Sequence, residues 1–408
     1  MTGEVSCHDK QEEVRKRIFS SLYGAVFTTM IGIGIVIPLL PGYAQDLGAS
    51  GIYIGLIFSS FALSRALFMP FFGRLSDNRG RRALIITGLC GYVTLSVLYI
   101  FADSVSTLIL IRFLHGITSA MIFPIALAYI GDISPLGMEG RYMGSFTSSM
   151  FLGMGIGPLL GGVVTDIYGI DATFLAMAGM SAIALLTCIL LLPDRRGTST
   201  RPAPMLSLIL HPGLRGPILY QFINAFANGT FMVFLPVIAA YVGELSVAET
   251  GVIISVSILS TALLQKVLGK LADQYNKFYL IALGTIIVAV ALALVPGFHG
   301  FYPYLIYAFL MGIGGGIAVP AMFALVTITG RETGQGSAMG VVNMVMSMGM
   351  IVSPLICGWI MDISNVSAVF NISAYIVAIS TPLFIMMGVK SHKKKKPRLS
   401  DAGTRSIK

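Results

Sequence analysis

The pentapeptide GRLSD at residues 73–77 returns as GKLAD at residues 269–273, and the shift of 196 residues between them holds far beyond that turn. Gly55 pairs with Gly251, Gly116 and Pro124 with Gly312 and Pro320, Gly140 and Gly144 with Gly336 and Gly340, and Pro158 and Asp166 with Pro354 and Asp362. No gap is needed from Gly55 to Asp362. Each copy sets the charged turn between long apolar runs, so the duplicated unit is a membrane unit. Parallel halves related by an axis along the membrane normal are a transporter architecture.

Composition carries the same message. Hydrophobic residues make up 55% of the chain and charged residues 11%, whereas soluble domains are roughly a quarter charged. Apolar runs near the ~20 residues needed to cross a bilayer fall at 18–40, 53–72, 83–102, 107–130, 142–165 and 172–192, and again at 217–242, 250–268, 278–296, 303–328, 337–360 and 368–388. The expectation is an all-α integral membrane protein of 12 transmembrane helices in two pseudo-symmetric six-helix bundles. The first bundle covers residues 1–192, a cytoplasmic linker 193–216, the second bundle 217–388 and a basic tail 389–408. No connection is long enough for a soluble active-site domain.

Charge sets the expected orientation, because cytoplasmic loops near spans retain Lys and Arg. Of the 27 basic residues, 25 fall on one side of the twelve-span arrangement, and the loops opposite hold Asp46, Asp103, Asp166, Asp171, Glu244, Glu249 and Asp362 with no Lys or Arg. Both termini are therefore expected in the cytoplasm. The first span lacks a small-residue cleavage site, so it is expected to be retained, which fits a multi-pass protein of a bacterial inner (plasma) membrane. The net charge of +9 then reports topology rather than nucleic-acid binding. Lys393–Lys396 serve as an inside anchor or touch anionic lipid. Cys7, Cys90, Cys188 and Cys357 are isolated from one another, and no metal or disulfide pattern is expected.

Local motifs add a resemblance. GRLSDNRGRR (73–82) is similar to the loop signature of the major facilitator superfamily, RFLHGITSA (112–120) to its second motif, and GMGIGPLLGG (153–162) to the motif typical of its antiporters. The first span, with Gly32, Gly34, Pro38 and Pro41, resembles that of the twelve-span drug:proton antiporter group. Together these motifs cover the chain. The resemblance implies a conformational latch at Gly73, Asp77, Gly80, Arg81, Arg82 and Asp273. It also implies a hinge sealing the outer side at Gly153, Gly157, Pro158, Gly161 and Gly162. Two departures stand out: Asn78 occupies the place of the usual Arg after the Asp, and His115 that of the usual Gln. The second copy of the turn keeps only Lys270 and Asp273 of the charges, so the latch is expected to be asymmetric.

The charges inside the spans single this chain out. None of the 18 acidic residues lies near a span's middle, but Arg65 and Arg112 lie within spans 2 and 4. A charge there is costly unless it meets water, a partner or a ligand. Arg65 is expected to line the central cavity; Arg112 either joins it or snorkels to the outer surface. His115, one turn on, is the ionisable group in a span that changes charge near neutral pH, and serves either as a proton carrier or as a hydrogen-bonding residue. Gln221, Asn224 and Asn228 in span 7, Ser257, Thr261 and Gln265 in span 8, and Asn343 and Ser347 in span 11 form polar stripes. Such stripes line pathways or glue helices together.

The functional expectation is a secondary transporter exporting small amphiphilic compounds, neutral or anionic, in exchange for protons. No cofactor is expected, and the family resemblance implies a monomer. Uptake or exchange of an organic anion is the alternative within transport. A membrane enzyme or a sensor is disfavoured, since the spans carry no GxSxG, HExxH or carboxylate dyad and the chain has no output domain.

Overall fold

The computed structural model describes residues 2–133, 139–193, 208–297, 299–333 and 335–394, with side chains over 18–76, 79–130, 132–133, 146–193, 208–265, 268, 274–297, 299–329 and 338–386. Among these residues, twelve helices are long and apolar enough to cross a bilayer. Spans 1 to 6 are Ile18–Asp46, Gly51–Ser76, Arg81–Phe101, Val105–Ile130, Phe146–Tyr168 and Ile170–Leu191. Spans 7 to 12 are Pro212–Tyr241, Val247–Gln265, Lys277–Leu294, Phe301–Thr329, Ala338–Ile363 and Val366–Met386. The helix carrying span 1 begins as early as Thr2, and the one carrying span 12 runs on to Lys394. Span 7 starts inside the segment expected as linker, because Pro212 fits the first turn of a helix, where its missing N–H costs nothing. Side chains of Asp77 and Asp273 lie outside the described set.

Spans 1 and 7, equivalent under the repeat, are the most enclosed: 72% and 78% of their apolar windows are buried, against 33–50% elsewhere. That difference places them at the centre. Span 1 packs on spans 5 and 6 of its own half and on span 7 of the other, while spans 2 and 11, and spans 5 and 8, make the largest contacts between halves. Large apolar side chains such as Leu67, Ile183, Leu190, Ile306 and Ile379 are exposed all round the outside. On a soluble protein that surface would drive aggregation, and in a bilayer it is the solvent-matched face. Exposed Tyr53, Tyr168, Tyr241 and Tyr302 ring one end of the bundle, and Tyr275 and Tyr279 stand at the other, where amphipathic rings favour the headgroup level. The first end carries Asp46, Asp103, Asp166 and Asp362 and is called the acidic end below; the other is the basic end.

Span 4, expected as one helix, is two. Its first part ends at Ala120 and a second begins at Phe123. Pro124 has no N–H to offer the Ala120 carbonyl, and Met121 and Ile122 instead donate to Thr118 and Ser119 in tighter turns (3.0 and 3.2 Å). The repeat partner Pro320 lies inside an unbroken helix, Phe301–Thr333.

Candidate functional site

The membrane-embedded cations occupy two different environments. Arg112 is only 7% exposed. Its guanidinium lies 4.5 Å from the Phe61 ring centre and 5.3 Å from that of Phe58, and its Nε donates to the Ile57 carbonyl at 3.4 Å. It therefore does not snorkel outward: span 2 wraps it in aromatic faces, which stabilise a desolvated cation by up to about 2 kcal/mol or more. Gly116, one turn on, makes this approach possible, because a Cβ there would run into the Phe61 carbonyl and Ser64.

His115 closes the same cluster at 1% exposure. Its Nδ1 shares a hydrogen bond with the Tyr99 hydroxyl (3.2 Å), its ring sits edge-on to Tyr92 at 3.9 Å between centres, and Phe61 lies edge-on at 5.9 Å. Tyr99 stacks on Phe174 of span 6 at 4.9 Å. Spans 2, 3, 4 and 6 thus meet around Arg112 and His115. The His115 Nε2 atom and the Tyr92 hydroxyl are buried without a hydrogen-bond partner among the described residues. The aromatic partners Phe58, Phe61, Tyr92 and Tyr99 escape a sequence reading, since ring residues in spans read as ordinary core.

Arg65 differs from Arg112. It is partly buried, with its guanidinium 5.7 Å from the ring centre of Phe123 in span 4. Of the polar stripes in the second half, Gln221 is buried, Asn228 donates to the Asn224 carbonyl and side chain (2.8 and 3.2 Å), and Thr261 returns its hydroxyl to Ser257 of its own helix. Gln265 is half-buried, and Asn343 is exposed with Ser347 bonded back to its carbonyl. Span 7 brings Asn224 and Asn228 together; Arg112 and His115 form a separate group inside the first half.

The charged turn is anchored in the same half. Gly80 adopts φ 99°, a left-handed conformation suited to glycine, and so joins spans 2 and 3 without an intervening loop. Arg81 pairs with Asp132, just past the end of span 4, at 2.8 Å, and Arg82 donates to the Ile189 carbonyl of span 6 at 2.7 Å. Asp132 has no acidic counterpart in the second copy, where Ile328 stands, so the repeat did not flag it. No described atom comes within 4 Å of a Cβ built on Gly73.

The acidic end, by contrast, is tightly sealed, and both sides follow the repeat. A Cβ on Gly55 would strike the Pro354 carbonyl, and one on Gly251 the Pro158 carbonyl; Gly358 meets Gly51, and Gly162 meets Val247. Gly153, Gly157 and Gly161 face inward on span 1, against Phe27, Ile31 and Ile35. The stripe in span 5 thus divides its work: three glycines hold span 1, while Pro158 and Gly162 meet span 8. At the other end of spans 2 and 11, no described atom lies within 4 Å of a Cβ built on Gly73 or Gly340. Among the described residues, the tight glycine contacts between the halves are those of the acidic end.

Two parallel six-helix units, sealed against each other at one end, define a twelve-span transporter fold. The chain matches the Major Facilitator Superfamily over residues 22–214 and 218–408, and it belongs to that family. It is 28% identical over 371 residues to an uncharacterized MFS-type transporter, MJ1560, of Methanocaldococcus jannaschii, covering 89% of this chain and 95% of that one. It is 26% identical over 382 residues to the quinolone resistance protein NorA of Staphylococcus aureus, covering 92% and 94%. Among solved structures, a bacterial homologue of the human lysosomal transporter Spinster, inward-facing and unoccupied, superposes with a TM-score of 0.73 at 15% identity over 92% of this chain and 96% of that one.

Proposed function

We propose that the chain is a proton-coupled antiporter that exports small amphiphilic compounds, neutral or anionic, by rocking its two halves about the space between them. The observation that carries the substrate class is the partition of the two cations. Arg112 is enclosed by rings, so in this reading partly buried Arg65 is the fixed positive charge that a substrate meets, and none of the described spans offers a carboxylate at its middle to attract an organic cation. The antiporter-like stripe of span 5 lies in the seal, and the likeness to a quinolone resistance protein supports efflux as the direction. In this reading the acidic end faces outside, both termini are cytoplasmic, and the present conformation is open to the cytoplasm. The transporter works as a monomer in the plasma membrane, driven by the proton gradient without a cofactor.

A cation at Arg65 also favours a second reading, inward transport or exchange of an organic anion. The sign of the response to a pH gradient separates the two. Purified protein in liposomes is challenged with anionic, neutral and cationic amphiphiles under an imposed gradient, beside Arg65→Gln and His115→Gln. Neutral and anionic compounds are expected to move against the proton flux, with anion transport reduced about tenfold or more in Arg65→Gln, a loss of roughly 1.4 kcal/mol of stabilisation. Good transport of organic cations together with unchanged anion transport in Arg65→Gln refutes the proposal.

A further inference from the structure

At the acidic end, two aspartates related by the repeat reach across to the opposite half. Asp362, at the end of span 11, accepts from the Ser50 hydroxyl (2.9 Å) and from the backbone N–H groups of Gly51 (2.6 Å) and Ile52 (2.9 Å), which together are the start of span 2. Asp166, at the end of span 5, accepts from the Ala248 N–H at the start of span 8 at 3.0 Å. Ile52 and Ala248 are themselves equivalent under the repeat. The first N–H groups of any helix lack an internal acceptor, and the helix start favours negative charge.

The two helix starts are served differently. Span 8 carries its own capping box: the Glu249 N–H donates to the Ser246 hydroxyl at 3.1 Å, and the Ser246 N–H donates to the Glu249 carboxylate at 2.9 Å. In the first copy Ser50 matches Ser246, but Tyr53 stands where Glu249 would be. Ser50 accepts no hydrogen bond from its own helix, and its hydroxyl is directed to Asp362. Span 2 therefore begins without a cap of its own, and its acceptor comes from the other half.

We propose that Asp362 is a conformational clamp that holds the acidic end shut by capping span 2 in trans. Asp166 is the weaker member, because it accepts from one N–H of span 8, whereas Asp362 accepts from two N–H groups and a hydroxyl of span 2. Opening the seal leaves the start of span 2 to water alone. Both carboxylates are solvent-exposed, so water replaces part of what is lost and the clamp sets a bias rather than a lock. This inference is independent of substrate and coupling ion.

The test reads the separation of the halves directly. Spin labels are placed by Phe101→Cys in the first half and Tyr302→Cys in the second, both exposed at the acidic end, in a chain whose native cysteines are replaced, and the distance distribution is measured by electron–electron double resonance in lipid nanodiscs. Asp362→Asn is expected to raise the ratio of long to short separations about threefold to thirtyfold, the range spanned by loss of a helix cap. Asp166→Asn is expected to shift it less. Ser50→Ala, which removes the hydroxyl that donates to Asp362 at 2.9 Å, is expected to shift it the same way by less and to shrink the further effect of Asp362→Asn, as coupled sites do. A wild-type distribution in Asp362→Asn, equal shifts from the two aspartates, or additive effects of Ser50→Ala and Asp362→Asn overturns the proposal. Should Asp362→Asn fail to yield monodisperse protein, Ser50→Ala decides alone: no shift overturns the clamp.

Discussion

Replacing Gly55 by alanine probes how little room the seal leaves. A Cβ at Gly55 would stand 2.8 Å from the Pro354 carbonyl carbon and 3.2 Å from the Leu355 nitrogen. These are backbone atoms of span 11 and cannot swing aside as a side chain would. Restoring carbon contacts of about 3.5–4.0 Å requires the two helices to part by roughly 1 Å. Nearby Gly51 is pressed just as closely on Gly358, so the strain has no local outlet. Overpacking of this kind costs about 1–3 kcal/mol. A form with the acidic end open is free of the clash, so the equilibrium moves roughly 5–150-fold toward it. Ser59 offers a reporter on the same interface: it is 3% exposed and donates to the Ile351 carbonyl of span 11 at 2.7 Å. In a chain freed of native cysteines and carrying Ser59→Cys, a membrane-impermeant maleimide added at the acidic end should label the new thiol about tenfold or more faster once Gly55→Ala is present. Gly73→Ala, near the other end of the same helix where no described atom meets a Cβ, should not speed labelling. Equal rates with and without Gly55→Ala refute the reasoning.

Phe61→Ala removes a ring that faces both Arg112 and His115 and should lower stability to heat in detergent by about 3 kcal/mol, the cost of a large core truncation. Arg81→Gln breaks the 2.8 Å pair with Asp132 and should cost about 1.5–3 kcal/mol; the double variant with Asp132→Asn should cost less than the two singles combined, measured by the same unfolding assay. Thr230 lies 3.1 Å from the hydroxyls of Ser353 and Ser373 and 3.3 Å from the Cys357 sulfur, tying spans 7, 11 and 12 beside Pro354. Thr230→Val should cost about 1–3 kcal/mol and loosen span 11, read as faster hydrogen exchange around Ser353.

The repeat made the architecture legible, because a constant offset places Gly55, Pro158, Gly251 and Pro354 on matching faces before any contact is known. It also puts Tyr53 opposite Glu249. What that difference does was not legible, since the acceptor of span 2 comes from Asp362, more than 300 positions away along the chain. Arg112 illustrates another limit. Depth along a helix follows from residue count, but whether a cation at that depth meets water or aromatic faces depends on the rotation of span 4 against span 2, which hydropathy does not encode. The break in span 4 escaped for a related reason: Pro124 falls at a break, whereas Pro70, Pro158, Pro320 and Pro354 lie inside unbroken helices, so a proline in a span does not by itself locate a joint.

That unlike pair of prolines gives the two halves different mechanics. Span 10 bends, if at all, as one beam, whereas span 4 has a joint between the stretch bearing Arg112 and His115 and the stretch leading to Asp132. Motion at the Arg81–Asp132 pair is therefore expected to be absorbed at that elbow before it reaches the aromatic cage, and displacement in the opposite half to run along the whole of span 10.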